Sequence, residues 1–157
     1  MRTKKIALTT AGVLVAAGFA AAVAVPAAVD WYENRHEQTS SYATGAEAKK
    51  DRASVPGWLP DDAKSVEYAM RTTGGDRLLK ATLADGRLPA QCTPAAAGGQ
   101  PAGTADPGLT ADWFPADAKD RATARCGIYY AYVDGDTLYG WQRNAEWIEQ
   151  NKSGAAS

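Results

Sequence analysis

A run of 20 uncharged, mostly apolar residues from Ile6 to Val25 follows three cationic side chains, Arg2, Lys4 and Lys5. At 1.5 Å rise per residue, a helix of this length spans roughly 30 Å, about the thickness of a bilayer's hydrocarbon core. Short cationic flanks stay on the cytoplasmic side of the membrane. The sequence therefore predicts a cytoplasmic flank at residues 1–5, a membrane segment at residues 6–29 and an extracytoplasmic remainder.

Two interpretations of the membrane segment stay open, a permanent anchor and a cleaved signal peptide. The length of the run favours the anchor, and so do Trp31 and Tyr32, which follow it where an interfacial aromatic belt would lie. The modest hydrophobicity favours cleavage, as do small-residue triplets at 22–24 and 26–28. We expect a single-pass protein of the cell membrane with its N-terminus in the cytoplasm. Secretion after cleavage is the alternative.

The chain has two cysteines, Cys92 and Cys126, and both follow the membrane segment. An oxidising compartment favours a disulfide between them. Closing a loop of roughly 35 residues stabilises a fold by about 3–4 kcal/mol in the chain-entropy model. Two thiols without a nearby histidine are too few ligands for zinc. The sequence predicts a disulfide and neither a metal nor a cofactor.

The part of the chain after the membrane segment is more acidic than the chain as a whole, which has a net charge of −1. Three of the 17 basic residues precede the membrane segment, which leaves 14 basic and 18 acidic residues after it, a net charge of −4. An acidic exterior argues against binding to nucleic acid. The expected partners are the lipid bilayer, through residues 6–29, and another envelope protein or a wall polymer.

Composition divides the exported part into further segments. Residues 30–54 are polar and are predicted to form a stalk, with a short helix near residues 46–52. The folded domain is predicted at residues 55–150, interrupted by a flexible loop at residues 93–110 that contains three prolines among alanine and glycine. Residues 151–157 are predicted to be a disordered tail.

Two β-hairpins are predicted in the folded domain. In the first, residues 66–73 and 77–83 flank Gly74-Gly75-Asp76, where glycine is expected to supply positive φ angles. In the second, residues 124–133 and 137–147 flank Asp134-Gly135-Asp136. The predicted fold class is α+β, with an N-terminal transmembrane helix and a small domain in which a roughly four-stranded antiparallel sheet is combined with short helical turns.

The second hairpin carries an aromatic face. Either two-residue turn, Asp134-Gly135 or Gly135-Asp136, places the same side chains together because the two registers differ by an even number of residues. One face then carries Tyr130, Tyr132, Tyr139 and Trp141. The opposite face carries Tyr129, Ala131, Val133 and Leu138. The first set is a candidate stacking platform for a ligand, although aromatic faces of small sheets are usually buried.

A short internal repeat precedes each hairpin. The heptapeptides at residues 58–64 (WLPDDAK) and 113–119 (WFPADAK) agree at five of seven positions. Proline at the first position of a helical turn and aspartate within that turn both favour a helical start. We expect each copy to form one helical turn that lays a tryptophan on the sheet, so that the domain consists of two similar halves.

No catalytic motif is evident in the sequence. The single histidine, His36, precedes the folded domain, which excludes a serine triad within that domain. Three aspartates in the repeats, Asp61, Asp62 and Asp117, and Asp120 directly after the second repeat could supply a glycosidase-like pair only if the two halves are related by symmetry. Their positions in helical turns give them a sufficient structural role. We therefore expect a protein that is not an enzyme.

The chain contains three further short motifs: Trp58-Leu59-Pro60-Asp61-Asp62-Ala63, a Cys-x-x-Tyr pattern from Cys126 to Tyr129, and Leu138-Tyr139-Gly140-Trp141. Together they resemble small exported proteins of high-GC bacteria. The resemblance covers about residues 56–147. It implies an N-terminal membrane segment and a compact extracytoplasmic domain, and it implies no activity.

Two functions are consistent with these features. The first is a membrane-anchored, non-catalytic interaction or structural domain at the cell envelope. The second is a module that binds carbohydrate or cell-wall polymer through the aromatic face. The exposure of the four rings distinguishes the two, because a stacking platform requires an open surface.

Overall fold

The computed structural model describes residues 36–155 of the chain. The predicted membrane segment at residues 6–29 and the first part of the predicted stalk lie outside the described residues. By its internal contacts the chain divides after His36, and the unit that begins at Glu37 is the one described below. Among residues 36–155, none of the helices combines the length and the apolar character that crossing a bilayer requires.

The described unit is built on one antiparallel sheet of seven strands. In the order β1-β2-β3-β7-β6-β5-β4 each strand pairs with its neighbours. The strands are β1 (Glu37–Thr44), β2 (Lys64–Arg71), β3 (Arg77–Thr82), β4 (Cys92–Pro94), β5 (Ala124–Cys126), β6 (Tyr129–Asp134) and β7 (Thr137–Gln142). Three helices accompany them: α1 (Gly45–Asp51), α2 (Ala118–Arg121) and α3 (Asn144–Ala155).

The predicted four-stranded sheet is wrong, because three additional strands extend it. β1 lies in the segment predicted as a stalk and pairs with β2 along its length. Its Ser, Thr and Gln residues have no apolar alternation, since an edge strand has little to bury. β4 and β5 have three residues each. Gly127, with φ of +60°, turns the chain between β5 and β6, which were predicted as one continuous strand.

The two predicted hairpins are confirmed, as β2–β3 and β6–β7. In the second, Asp134 pairs with Thr137, so Gly135-Asp136 forms the turn, and Gly135 has φ of +64° as its position requires. The prediction for the first turn is wrong in one respect, since neither Gly74 nor Gly75 has a positive φ. A Cβ on Gly75 would instead overlap Trp147 of α3, so this glycine permits close approach of the helix.

The helices also correct the predicted boundaries. The helix predicted near residues 46–52 is confirmed as α1, and Thr44 caps it by accepting the Glu47 N–H at 3.2 Å. The strand predicted to reach Trp147 ends at Gln142, and α3 follows. Residues 151–155 of the predicted tail belong to this helix, while residues 156–157 lie outside the described part.

The sheet buries side chains on both faces. The first core lies beneath α1 and the segment that follows it, and it contains Tyr68, Leu79, Leu138, both cysteines and Tyr129 among its members. The second core lies on the opposite face, beneath residues 109–122, and contains Leu78, Tyr130, Tyr132, Trp141 and Phe114 among its members. Neighbouring residues such as Leu78 and Leu79 enter different cores because side chains alternate along a strand.

The two copies of the repeat form the same local turns. Leu59 and Ala63 donate backbone hydrogen bonds to Pro56 and Pro60, and the equivalent bonds run from Phe114 and Ala118 to Ala111 and Pro115. The prediction of two similar halves is nevertheless wrong. The first copy packs in the first core and leads directly into β2, whereas the second packs in the second core and continues into α2.

Candidate interaction surface

The four residues of the predicted stacking platform lie on one face of the second hairpin, as expected, but that face is buried. Tyr130, Tyr132 and Trp141 are at most 2% exposed, and only Tyr139 is partly exposed. Cross-strand pairing joins Tyr130 to Trp141 and Tyr132 to Tyr139, with ring centroids 5.5 and 5.2 Å apart. Phe114 covers the pair Tyr139 and Trp141 edge-on. The four rings therefore form core and present no open platform to a ligand.

The segment at residues 93–110 provides much of this cover. The Tyr130 hydroxyl has two alternative acceptors, the Gly103 carbonyl at 2.6 Å and Glu146 Oε1 at 2.7 Å, and Trp141 Nε1 donates to the Ala105 carbonyl at 2.9 Å. Leu109 is 4% exposed. The segment predicted as a flexible loop therefore buries an apolar side chain and covers the second core. Its carbonyl groups satisfy the polar ends of two buried aromatic side chains, which is the usual requirement for burying them.

Burial also changes the acidity of the tyrosines in this face. It raises the pKa of Tyr132 to about 12, while Arg121 acts in the opposite direction. The cation lies 4.7 Å from the Tyr132 ring centroid. The pKa of Tyr130 is also raised, by burial and then by its hydrogen bond to Glu146.

We predict that the domain loses stability between pH 10 and pH 12. In this window unfolded tyrosine releases its proton while folded Tyr132 retains it, so the free energy of unfolding falls as pH rises. Tyr132→Phe should weaken this dependence, as seen in urea midpoints measured below and above pH 10. An unchanged pH dependence in the variant would contradict the assignment to Tyr132.

The predicted disulfide between Cys92 and Cys126 is confirmed. The two residues are directly paired between β4 and β5, with Cα atoms 4.1 Å apart. Cys126 is fully buried and Cys92 is 8% exposed. The bridge therefore fastens the three-residue strand β4, which is the last strand of the sheet, to the first core.

A buried carboxylate that sequence reasoning missed lies in the first hairpin turn. Asp76 is 6% exposed, and its Oδ1 accepts the Asn144 N–H at the start of α3 at 3.0 Å. Two guanidinium groups approach it, from Arg71 at 3.6 Å and Arg143 at 3.8 Å. A Cβ on Gly108 would overlap the carboxylate. Asp76 therefore joins the hairpin turn, the covering loop and α3, and in the sequence it resembles an ordinary turn residue.

We expect Asp76→Asn to lower the free energy of unfolding by about 1.5–3 kcal/mol, the range for a hydrogen bond to a charged group. The amide keeps the shape of the side chain but removes the anion beside Arg143 and leaves Arg71 with Glu37 alone. Exposed Asp62→Asn is the matched control and should change stability by less than about 0.5 kcal/mol. Chemical denaturation measures both, and equal stability of the two variants would contradict a clamping role for Asp76.

A groove lies between α3 and the turn that joins β5 to β6. Its volume is about 490 Å³, and its walls are mostly apolar. The guanidinium of Arg125 stacks 4.1 Å from the centroid of the Tyr130 ring, and the Tyr130 hydroxyl lies 2.7 Å from Glu146 Oε1. On α3, Trp147 and Ile148 are 40% and 37% exposed. Arg125 and Glu146 therefore meet at the Tyr130 side chain on one side of the groove.

The two edges of the sheet differ in how they are closed. β4 has three residues, ends at Pro94 and is bridged to β5. β1 has eight residues, contains no proline or lysine, and pairs with β2 without a register shift. Short length, proline and cationic side chains are the usual devices that protect an edge strand from further pairing. In the described part of the chain, β1 is thus the surface best suited to an interaction.

The aspartates of the two repeats do not converge on one site. Asp61 pairs with Lys49 at 2.6 Å, and Asp117 lies 4.0 Å from Arg121. The repeats that carry them pack over opposite faces of the sheet. Residues 36–155 contain no group of three or more histidine, cysteine, aspartate or glutamate side chains placed to hold a metal ion.

Comparison with known proteins identifies no relative of this chain. No protein-family model, no curated protein and no solved structure matches this chain.

Proposed function

We propose that this chain is a single-pass envelope protein with a non-catalytic interaction domain on the extracytoplasmic side of the membrane. The Cys92–Cys126 bridge carries the proposal. Structural disulfides form and persist in oxidising compartments and are rare in the cytosol. The apolar run at residues 6–25 with its cationic flank supplies the corresponding anchor in the sequence.

The buried charges support an interaction domain over a catalytic one. Arg77 is 9% exposed, and its guanidinium donates to the carbonyl groups of Arg71, Gly74 and Asp76 at 2.7–3.0 Å. Asp76 is engaged by the start of α3. These groups hold the hairpin turn in place, whereas a general acid or base must reach a substrate. The open edge of β1 is the surface that remains available for binding.

A charge placed within the predicted anchor tests membrane retention. Leu14→Arg should move the protein out of the membrane fraction, because arginine at the centre of a spanning helix costs about 2.5–3.5 kcal/mol on insertion scales. Ala53→Arg, which adds the same charge at an exposed position of the domain, should leave the protein in the membrane. Immunoblots of fractionated cells measure the distribution.

Three outcomes are informative. Retention of the wild type and of Ala53→Arg, with loss of Leu14→Arg, supports the anchor. Recovery of the wild type from the medium, with a new N-terminus near residues 25–29, identifies a cleaved signal peptide and contradicts anchoring. Recovery from the cytosol with two alkylatable thiols contradicts export altogether.

A further inference from the structure

Among residues 36–155, β1 has no strand on the side away from β2, and this edge, called the free edge below, presents backbone hydrogen-bonding groups at defined positions. Arg71 donates its N–H to the Asp76 carbonyl, on the side of β2 that faces β3. Glu37, which pairs with Arg71 across β1 and β2, therefore occupies a non-hydrogen-bonded position. Because this property alternates along an antiparallel strand, Glu37, Thr39 and Ser41 direct their backbone N–H and C=O groups toward the free edge.

The C-terminal end of this edge is closed. The Ala43 N–H donates to Glu47 Oε2 of α1 at 3.2 Å. The open stretch therefore runs from Glu37 to Ser41 and has Thr39 at its centre. A strand that adds to this edge satisfies the most groups when it is centred on Thr39.

From this arrangement we propose that β1 pairs antiparallel with β1 of a second copy of this chain, about a two-fold axis at Thr39. Each Thr39 then faces its equivalent, and Glu37 of each copy faces Ser41 of the other. All groups used are those already directed outward, and the pairing forms about six interchain hydrogen bonds. The two seven-stranded sheets become one continuous sheet across the dimer.

The charges of the edge favour the antiparallel arrangement of the two copies. Glu37 is the one charged residue in β1, and its carboxylate already pairs with Arg71 at 3.1 Å. In the antiparallel arrangement the two Glu37 side chains lie at opposite ends of the paired stretch, each facing a serine. A parallel arrangement would bring the two carboxylates together, and like charges opposite one another destabilise strand pairing.

The proposed membrane anchor strengthens this pairing without being necessary for its geometry. An interface of one strand pair is small, so it is weak at low concentration in solution. Tethering both copies to one membrane raises their effective concentration. The fractionation experiment described above tests the anchor separately, so failure of the anchor and failure of the pairing are distinguishable.

Single cysteine substitutions in the full-length chain test the pairing, because both native cysteines are occupied in the bridge. Thr39→Cys should give a covalent dimer on mild oxidation, since the paired Cα atoms lie about 5.5 Å apart, within the range of a disulfide. Ala43→Cys is the matched control, also exposed and on the same side of the same strand. Its two copies lie about 27 Å apart in this register, at about 3.4 Å per residue.

Non-reducing gels of membranes or detergent extracts should show Thr39→Cys dimers forming at least about tenfold faster than Ala43→Cys dimers, because paired thiols have a high effective concentration. Peptide mapping of the Cys92–Cys126 bridge confirms that each variant is folded. Thr39→Lys adds a second test. It places two ammonium groups at the two-fold axis and should reduce the dimer fraction measured by resonance energy transfer between differently labelled copies in membranes.

Equal crosslinking rates for the two cysteine variants would overturn the proposal, and so would a dimer fraction that Thr39→Lys does not change. Capture of a different protein by Thr39→Cys, with no dimer, would show that the edge binds another partner and would also overturn it.

Discussion

Removal of the Cys92–Cys126 bridge by the double substitution Cys92→Ala and Cys126→Ala is expected to lower the free energy of unfolding by about 3–4 kcal/mol. The bridge joins residues separated by 34 positions, and its loss releases a loop of that length in the unfolded chain. In the folded state β4 has three residues and depends on β5 for its pairing.

Urea denaturation of the full-length protein in detergent, followed by tryptophan fluorescence, measures this change. Reduction of the wild type should produce a loss of similar size, which separates the effect of the crosslink from that of the substituted side chains. A double variant as stable as the oxidised wild type would contradict a stabilising role for the bridge.

Trp141→Ala is expected to lower the free energy of unfolding by about 3–5 kcal/mol, the range for a large aromatic side chain removed from a core. Trp141 has no solvent exposure, and its ring contacts Tyr130 and Phe114. Its indole N–H donates to the Ala105 carbonyl. The substitution therefore leaves both a cavity and an unpaired carbonyl group in the second core.

Trp147→Ala provides the matched control, because Trp147 is 40% exposed on α3. Because Trp147 packs partly on Gly75, this change should lower stability by about 1–2 kcal/mol, clearly less than Trp141→Ala. Thermal and chemical denaturation of both variants distinguish a buried aromatic face from an open stacking platform. A stable Trp141→Ala variant that loses binding to purified cell wall would contradict the buried arrangement and restore the wall-binding hypothesis.

The parts of the fold that follow from local pattern were predictable. Alternation of apolar residues around a glycine turn predicted both hairpins, and side-chain parity placed Tyr130, Tyr132, Tyr139 and Trp141 on one face. The cover over that face was not predictable. It depends on contacts between Trp141 and the segment near Ala105, 36 residues away, in a stretch whose composition resembles a mobile loop.

β1 and α3 were missed for different reasons. β1 is an edge strand with small polar side chains, so it lacks the apolar alternation by which strands are recognised. α3 begins where Asn144 donates its N–H to Asp76, 68 residues earlier, and Gly75 leaves room for Trp147. Such long-range contacts set the end of β7 and the start of the helix. The candidate interaction edge was therefore absent from the sequence-based prediction.

We propose that an oxidised domain lies outside the cytoplasm and remains attached to its N-terminal segment. Intact-mass spectrometry of the protein from isolated membranes, alkylated without prior reduction, tests it most directly. The account predicts the uncleaved chain, with or without its initiator methionine, carrying no alkyl group and gaining two only after reduction. A chain that carries alkyl groups before reduction, or one shortened to begin near residues 25–29, would contradict it.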